Sequence, residues 1–123
     1  MAKRVLDVGN CSMDHGAIRG YLEKTFQAEV VQAHGADDAH RLLASEHFDL
    51  VLVNRKLDQD YSDGLEIIQQ IKADAQHAQV PCMLITNYPE HQETAIAAGA
   101  THGFGKKQLH DDATYARLEK FLK

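Results

Sequence analysis

Apolar positions along the chain switch between two periods. Arg4-Val5-Leu6-Asp7-Val8 is a short strand-like run that ends in Gly9-Asn10. From Met13 to Phe26, Ala17, Ile18, Tyr21, Leu22 and Phe26 recur at helical spacing, with Ser12 placed to cap the helix. Glu29-Val30-Val31-Gln32-Ala33 predicts a second strand, stopped by His34-Gly35. Asp37 is the expected cap of a helix through Ala39, Leu42 and Leu43. Asp49-Leu50-Val51-Leu52-Val53 is the most apolar strand and ends at Asn54. A polar loop from Arg55 to Ser62 follows. Asp63, with Glu66 three residues on, has the spacing of a helix-capping box, and that helix buries Leu65, Ile68 and Ile71. Val80 to Thr86 predicts a fourth strand. Pro89 suits the first turn of the next helix, and Gly99 is its natural stop. Thr101 to Gly105 predicts a short fifth strand, and Asp111 to Leu122 a closing helix with Tyr115, Leu118, Phe121 and Leu122.

Strands that are apolar throughout, alternating with amphipathic helices, imply an α/β fold: a doubly wound parallel sheet covered on both faces. Right-handed crossovers leave few topologies. In such sheets a site forms at the carboxyl ends of the strands. Here those ends are Gly9-Asn10, Asn54, Thr86-Asn87 and Lys106. One residue breaks the pattern. Asp7 interrupts the first strand, and a carboxylate there needs a hydrogen-bond partner, either as a strand residue or as a displaced acid of the site.

Composition narrows the function. The 123 residues suffice for one domain, 1–123. A formal charge of −5 argues against nucleic acid and against an anionic membrane surface as partners. No run approaches a membrane span, and the first residues lack a signal-peptide core. Cys11 and Cys82 form no metal-binding spacing or CxxC pair, and with no export signal they are expected as reduced thiols in a cytoplasm. The eight histidines show neither HxH nor HxxxH spacing and read as ordinary surface and loop residues. Gly99, Gly103 and Gly105 do not form a dinucleotide fingerprint. A flavin or small-ligand binder of similar shape is disfavoured because no Ser/Thr-rich phosphate loop follows the first strand.

The stretches Arg4-Val5-Leu6, Phe48-Asp49-Leu50-Val51-Leu52-Val53, Asp63-Gly64-Leu65-Glu66, Pro81-Cys82-Met83-Leu84-Ile85-Thr86 and Ala98-Gly99-Ala100 leading to Lys106 resemble the receiver domains of two-component response regulators. The resemblance spans nearly the whole chain. It implies a flavodoxin-like five-stranded sheet of order 2-1-3-4-5 with five helices. It also implies a site built from an acidic pair, a phosphoacceptor Asp, a Ser/Thr and a Lys. Thr86 and Lys106 match. The acidic pair reads Gly9 and Asn10, and the phosphoacceptor position reads Asn54. The Pro that usually follows the Lys is Lys107. The switch aromatic usually found three residues before the Lys falls on Gly103, beside Phe104; taking Lys107 as the Lys puts Phe104 in that slot.

Phosphoryl transfer to such a site needs an anionic oxygen nucleophile and a divalent cation. An Asn amide carries no full charge and would not form an acyl phosphate. Mg²⁺ seeks hard oxygen ligands that include carboxylates. One carboxylate about 4 Å from a dication contributes roughly 8 kcal/mol of gross attraction at an effective dielectric near 20. With the acids gone, Mg²⁺ is not expected. The resulting expectation is a pseudo-receiver, not an enzyme, that signals by protein–protein contact. The contact face would be the fourth helix, fifth strand and fifth helix, with Asn87-Tyr88-Pro89 and Phe104 as its exposed surface, and a homodimer is compatible with this. Lys106 is expected to donate to Asn54, Asn10 or a backbone carbonyl, with Thr86 closing the network, or else to point to solvent. The rival reading is a phosphoacceptor that uses a surrogate loop acid, Asp58 or Asp60. Asp63 and Asp14 are further acids in reach, though loop acids lack the rigid placement that in-line transfer demands.

Overall fold

A computed structural model describes residues 2–123. Its elements are β1 (Arg4–Val8), α1 (Ser12–Phe26), β2 (Glu29–Ala33), α2 (Ala36–Ser45), β3 (Leu50–Asn54), α3 (Gly64–Ala73), β4 (Cys82–Ile85), α4 (Pro89–Ala97), β5 (Thr101–Phe104) and α5 (Asp112–Leu122). A single 3₁₀ turn, Lys106–Gln108, separates the last two. The five strands form one parallel sheet of order β2-β1-β3-β4-β5. This is the flavodoxin-like arrangement that the resemblance implies.

Strand alternation sends side chains to two apolar layers. Leu6, Val8, Val51, Val53 and Leu84 pack with Leu43, Ile68 and Ile71 on one face. Val5, Leu50, Leu52, Met83 and Ile85 pack with Ile18, Leu22, Leu118 and Leu122 on the other. Phe104 belongs to this second layer and is 1% exposed. It is therefore core, and the expectation that it lies on an exposed switch-like surface is corrected.

The helix starts follow local chemistry, with small shifts. Asp63 caps α3 as expected, its Oδ1 accepting from Leu65 N at 2.9 Å. Ser12 lies inside α1, and the cap position is Cys11. Asp37 does not cap α2. Gly35 holds that position, and Asp38 accepts from the backbone N–H groups of His34 and Gly35 at 2.7 and 2.8 Å. Gly99 follows α4 as its stop. β4 is shorter than expected at both ends, in part because Pro81 has no N–H to give the ladder.

β4 and β5 pair irregularly: Met83 faces Thr101 and Ile85 faces Phe104, so the register shifts between them. Gln92 of α4 fills the gap in the ladder. Its Nε2 donates to Leu84 O at 2.9 Å and Thr86 O at 3.3 Å, and its Oε1 accepts from Gly103 N at 2.9 Å. Arg117 of α5 donates to Gly103 O at 2.9 Å. The close approach of Leu84 O leaves no room for a Cβ at Gly103. The slot of the family's switch aromatic is thus held by a residue without a side chain.

Candidate functional site

The carboxyl ends of β1, β3, β4 and β5 bring Gly9, Asn10, Asn54, Thr86 and Lys106 to one edge of the sheet. Gly9 follows β1 with φ of +80°, a conformation that side-chain-bearing residues rarely adopt. A Cβ at this position would collide with the buried side chain of Leu57. Leu57 comes from the loop after β3, which folds down over the end of β1. Asp58 N donates to Gly9 O at 2.8 Å and fixes that loop. The Asn54 amide is committed to the same turn: its Nδ2 donates to Lys56 O at 2.7 Å and, more weakly, to Gly9 O at 3.4 Å.

Asn10 turns inward. Its Nδ2 donates to Asp7 Oδ1 at 2.6 Å, and its backbone carbonyl accepts from Gln32 Nε2 at 3.2 Å. Its Oδ1 is buried with no partner among the described residues. Asp7 is fully buried on the α1 side of the sheet, and His15 Nδ1 lies 2.7 Å from its Oδ2. When Asp7 is ionised it can only accept, and His15 then donates from Nδ1. Burial pushes the Asp7 carboxyl above its ordinary value, against the opposing pull of the hydrogen bonds from His15 and Asn10 and the positive charge of Lys106. Asp7 is therefore a hydrogen-bonded strand residue whose two oxygens are both engaged.

Lys106 takes neither of its two expected courses. Its Nζ lies 2.8 Å from Asp14 Oδ2 in the first turn of α1. That bond holds the Asp14 carboxyl below its ordinary value, helped by the Cys11 thiol, whose Sγ lies 3.3 Å away. The acid facing the lysine thus comes from α1. Lys106 rather than Lys107 lines the strand-end pocket with Asn54 and Thr86. Lys107 instead donates its backbone N–H to Asn87 Oδ1 at 3.2 Å. Thr86 accepts from Tyr88 N at 3.3 Å and does not join Lys106 in one network.

The loop acids stand apart. Asp58 and Asp60 are exposed, and neither lines the pocket. Asp60 Oδ1 accepts from Ser62 N at 2.9 Å, and the Ser62 hydrogen bonds hold its carboxyl below the ordinary value.

At the positions where a receiver carries its acids, the side chains offer little to a cation. Gly9 offers no side chain, Asn54 points its amide nitrogen at carbonyls, and the Asp7 oxygens are taken. Among the described residues, no group of three or more His, Cys, Asp or Glu is arranged to hold a metal ion.

Three residues that shape this region escape a reading of the sequence motifs alone: His15, Leu57 and Gln92. His15 had a usable signal. It falls on the inner stripe of α1 with Ile18, Leu22 and Phe26, one turn beyond a strand acid in need of a partner.

Comparison with known proteins agrees with this architecture. The family model described as "Response regulator receiver domain" matches residues 13–119. No curated protein matches the chain. Among solved structures, NtrX from Brucella abortus superposes with a TM-score of 0.81 at 26% identity; the match covers 99% of this chain and 27% of that one. The BeF3-activated N-terminal receiver domain of Klebsiella pneumoniae RstA gives 0.81 at 24% identity, covering 98% of this chain and 99% of that one. Vibrio cholerae chemotaxis protein CheY4 gives 0.81 at 19% identity, covering 99% and 100%. The chain thus spans about a quarter of the NtrX chain and nearly all of the other two. With a family match over most of its length and a sheet of the order the motifs implied, this chain belongs to the response regulator receiver domain family.

Proposed function

We propose that this receiver domain, taken as a single unit over 1–123, is a pseudo-receiver: it neither accepts a phosphoryl group on Asn54 nor holds Mg²⁺, and it acts as a protein-interaction module rather than an enzyme. The observation that carries this reading is the packing of Leu57 against Gly9. The first acidic position is occupied by a positive-φ glycine under an apolar side chain, so the pocket has been rebuilt around the loss. Lys106, which in an active site would face the phosphoryl group, has a carboxylate partner in Asp14.

Receiver domains interact with other proteins in two-component signalling. The face of α4, β5 and α5 suits that task here. It carries a groove of about 430 Å³ lined by Pro89, Gln92, Ile96, His102 and Arg117. Ile96 in that lining is 44% exposed, and Tyr88, at the start of α4, is 59% exposed. Burial and the nearby Arg117 charge push the His102 imidazole below its ordinary value, so that face gains no cation from it at neutral pH. The partner is a protein or a second copy of the chain, in a cytoplasm where Cys11 and Cys82 remain thiols, as they are in this structure.

The test is a pair of variants in cells that use the chain. Tyr88→Ser combined with Ile96→Ser should abolish its output, and Asn54→Ala should leave it intact. The opposite pattern contradicts the reading.

A further inference from the structure

The Asp7–His15 pair is buried where α1 begins, and α1 begins weakly. Cys11 holds the cap position, and its side chain caps no backbone N–H. Gly16 and Gly20 lie inside the helix, and at both a Cβ would meet open space, so no packing demands a glycine there. Glycine is the poorest helix former after proline. Side-chain links therefore hold this first turn to the sheet. His15 Nδ1 lies 2.7 Å from Asp7 Oδ2 on β1, and Asp14 Oδ2 lies 2.8 Å from Lys106 Nζ beyond β5.

The first of these links depends on a proton. Asp7 is fully buried, so an unbalanced negative charge on it is costly. One proton lies between Oδ2 and Nδ1. The other ring nitrogen, Nε2, has no hydrogen-bond partner among the described residues, and 11% of the His15 side chain reaches solvent. With a proton on Nε2 the pair is net neutral, whether the shared proton sits on oxygen or on nitrogen. Without it the pair is a buried negative charge. Imidazole is the side chain that ordinarily changes charge roughly between pH 5 and 8. Little else balances Asp7. Asn10 gives Oδ1 one neutral hydrogen bond. The Lys106 charge reaches Asp7 but is committed to Asp14, which also accepts from the Cys11 thiol. The flanking strands set Gln32 and Leu52 beside Asp7, and neither titrates. Burial accordingly pushes the Asp7 carboxyl above its ordinary value despite these partners.

We infer that the first turn of α1 is a proton-controlled latch: it is held down while His15 Nε2 carries a proton, and it opens as pH rises and that proton passes to solvent. Opening lets water reach the Asp7 carboxylate and draws Asp14 away from Lys106. The latch does not depend on whether Asn54 accepts a phosphoryl group.

The experiment is amide hydrogen exchange of the full chain by ¹⁵N–¹H NMR between about pH 6 and about pH 8. Each rate is divided by that of an unstructured amide at the same pH, so that base catalysis cancels. His15 N bonds to Cys11 O at 2.8 Å, and the amides of His15, Gly16 and Ala17 close the first turns of α1. Their protection should fall about tenfold over this range, the effect of releasing one proton, while the amides of β3 keep theirs. In Asp7→Asn the fall should vanish, because no charge is left to balance. The ring nitrogens of wild-type His15, followed in the same samples, should lose a proton over the pH interval in which protection falls. That measurement needs no variant and decides the matter if Asp7→Asn does not fold. Protection that is level with pH, or falls equally in Asp7→Asn or in β3, would overturn the latch, as would a ring that keeps its proton while the turn opens.

Discussion

Gly9 carries more of this structure than its size suggests. Its φ of +80° lets the chain leave β1 and turn inward at Asn10, and its missing Cβ is the space into which Leu57 packs. Putting the family's acid back with Gly9→Asp should therefore lower stability by about 2 kcal/mol or more, from backbone strain and the displacement of Leu57. Denaturant unfolding measures it, and an unchanged midpoint would contradict the packing. The Asp7–His15 pair makes two further predictions. His15→Ala strips a buried carboxylate of its main donor and should cost about 3 kcal/mol in the same assay. Asp7 itself titrates above its ordinary value in the folded chain, so folding takes up a proton. Its contribution to stability is full below the unfolded pKa and falls away as pH rises through the folded one. Asp7→Asn cannot ionise, and it should gain on the wild type as pH is raised from about 4 to about 7. A variant that loses ground over that range would show that the buried carboxylate is better served than its surroundings indicate.

Among the elements, the joint between α4 and the β4–β5 edge is where the sequence was least readable. Alternation placed all five strands and five helices, because a buried parallel strand and an amphipathic helix each leave a long periodic signal. The placing of Thr86, Lys106 and the neutral residues at 9, 10 and 54 at or just past strand ends was legible through the resemblance. What periodicity does not encode is long-range pairing. Lys106 to Asp14 joins residues at opposite ends of the chain, and a slip in the β4–β5 register carries no local mark. Phe104 was misjudged for that reason, since a shift in register changes which side chain faces the core. Gln92 repairs the slip with its three backbone hydrogen bonds. Gln92→Ala would leave Gly103 N and Leu84 O short of partners in a buried place, and it should cost about 2 kcal/mol. Amide exchange should speed up at Gly103 and Phe104 ahead of the rest of the sheet; uniform exchange would mean that the edge is held by other contacts.

For the whole molecule, the sheet and helices are those of a receiver, and the strand-end pocket is lined by Arg55, Lys56 and Lys106 with no carboxylate among its walls. Leu57 over Gly9, the Asn54 amide tied to backbone carbonyls and the Lys106–Asp14 pair are three separate changes that support one outcome. On the proposed reading each removes something that phosphoryl transfer requires, and a single substitution is then expected not to restore it: Asn54→Asp should still fail to be phosphorylated. The most direct test of the central claim is the intact mass of the full chain after incubation with a small acyl-phosphate donor and Mg²⁺. An unchanged mass is predicted for the wild type and for Asn54→Asp alike. A gain of one phosphoryl group in the wild type, lost on Asp58→Ala or Asp60→Ala, would contradict the account.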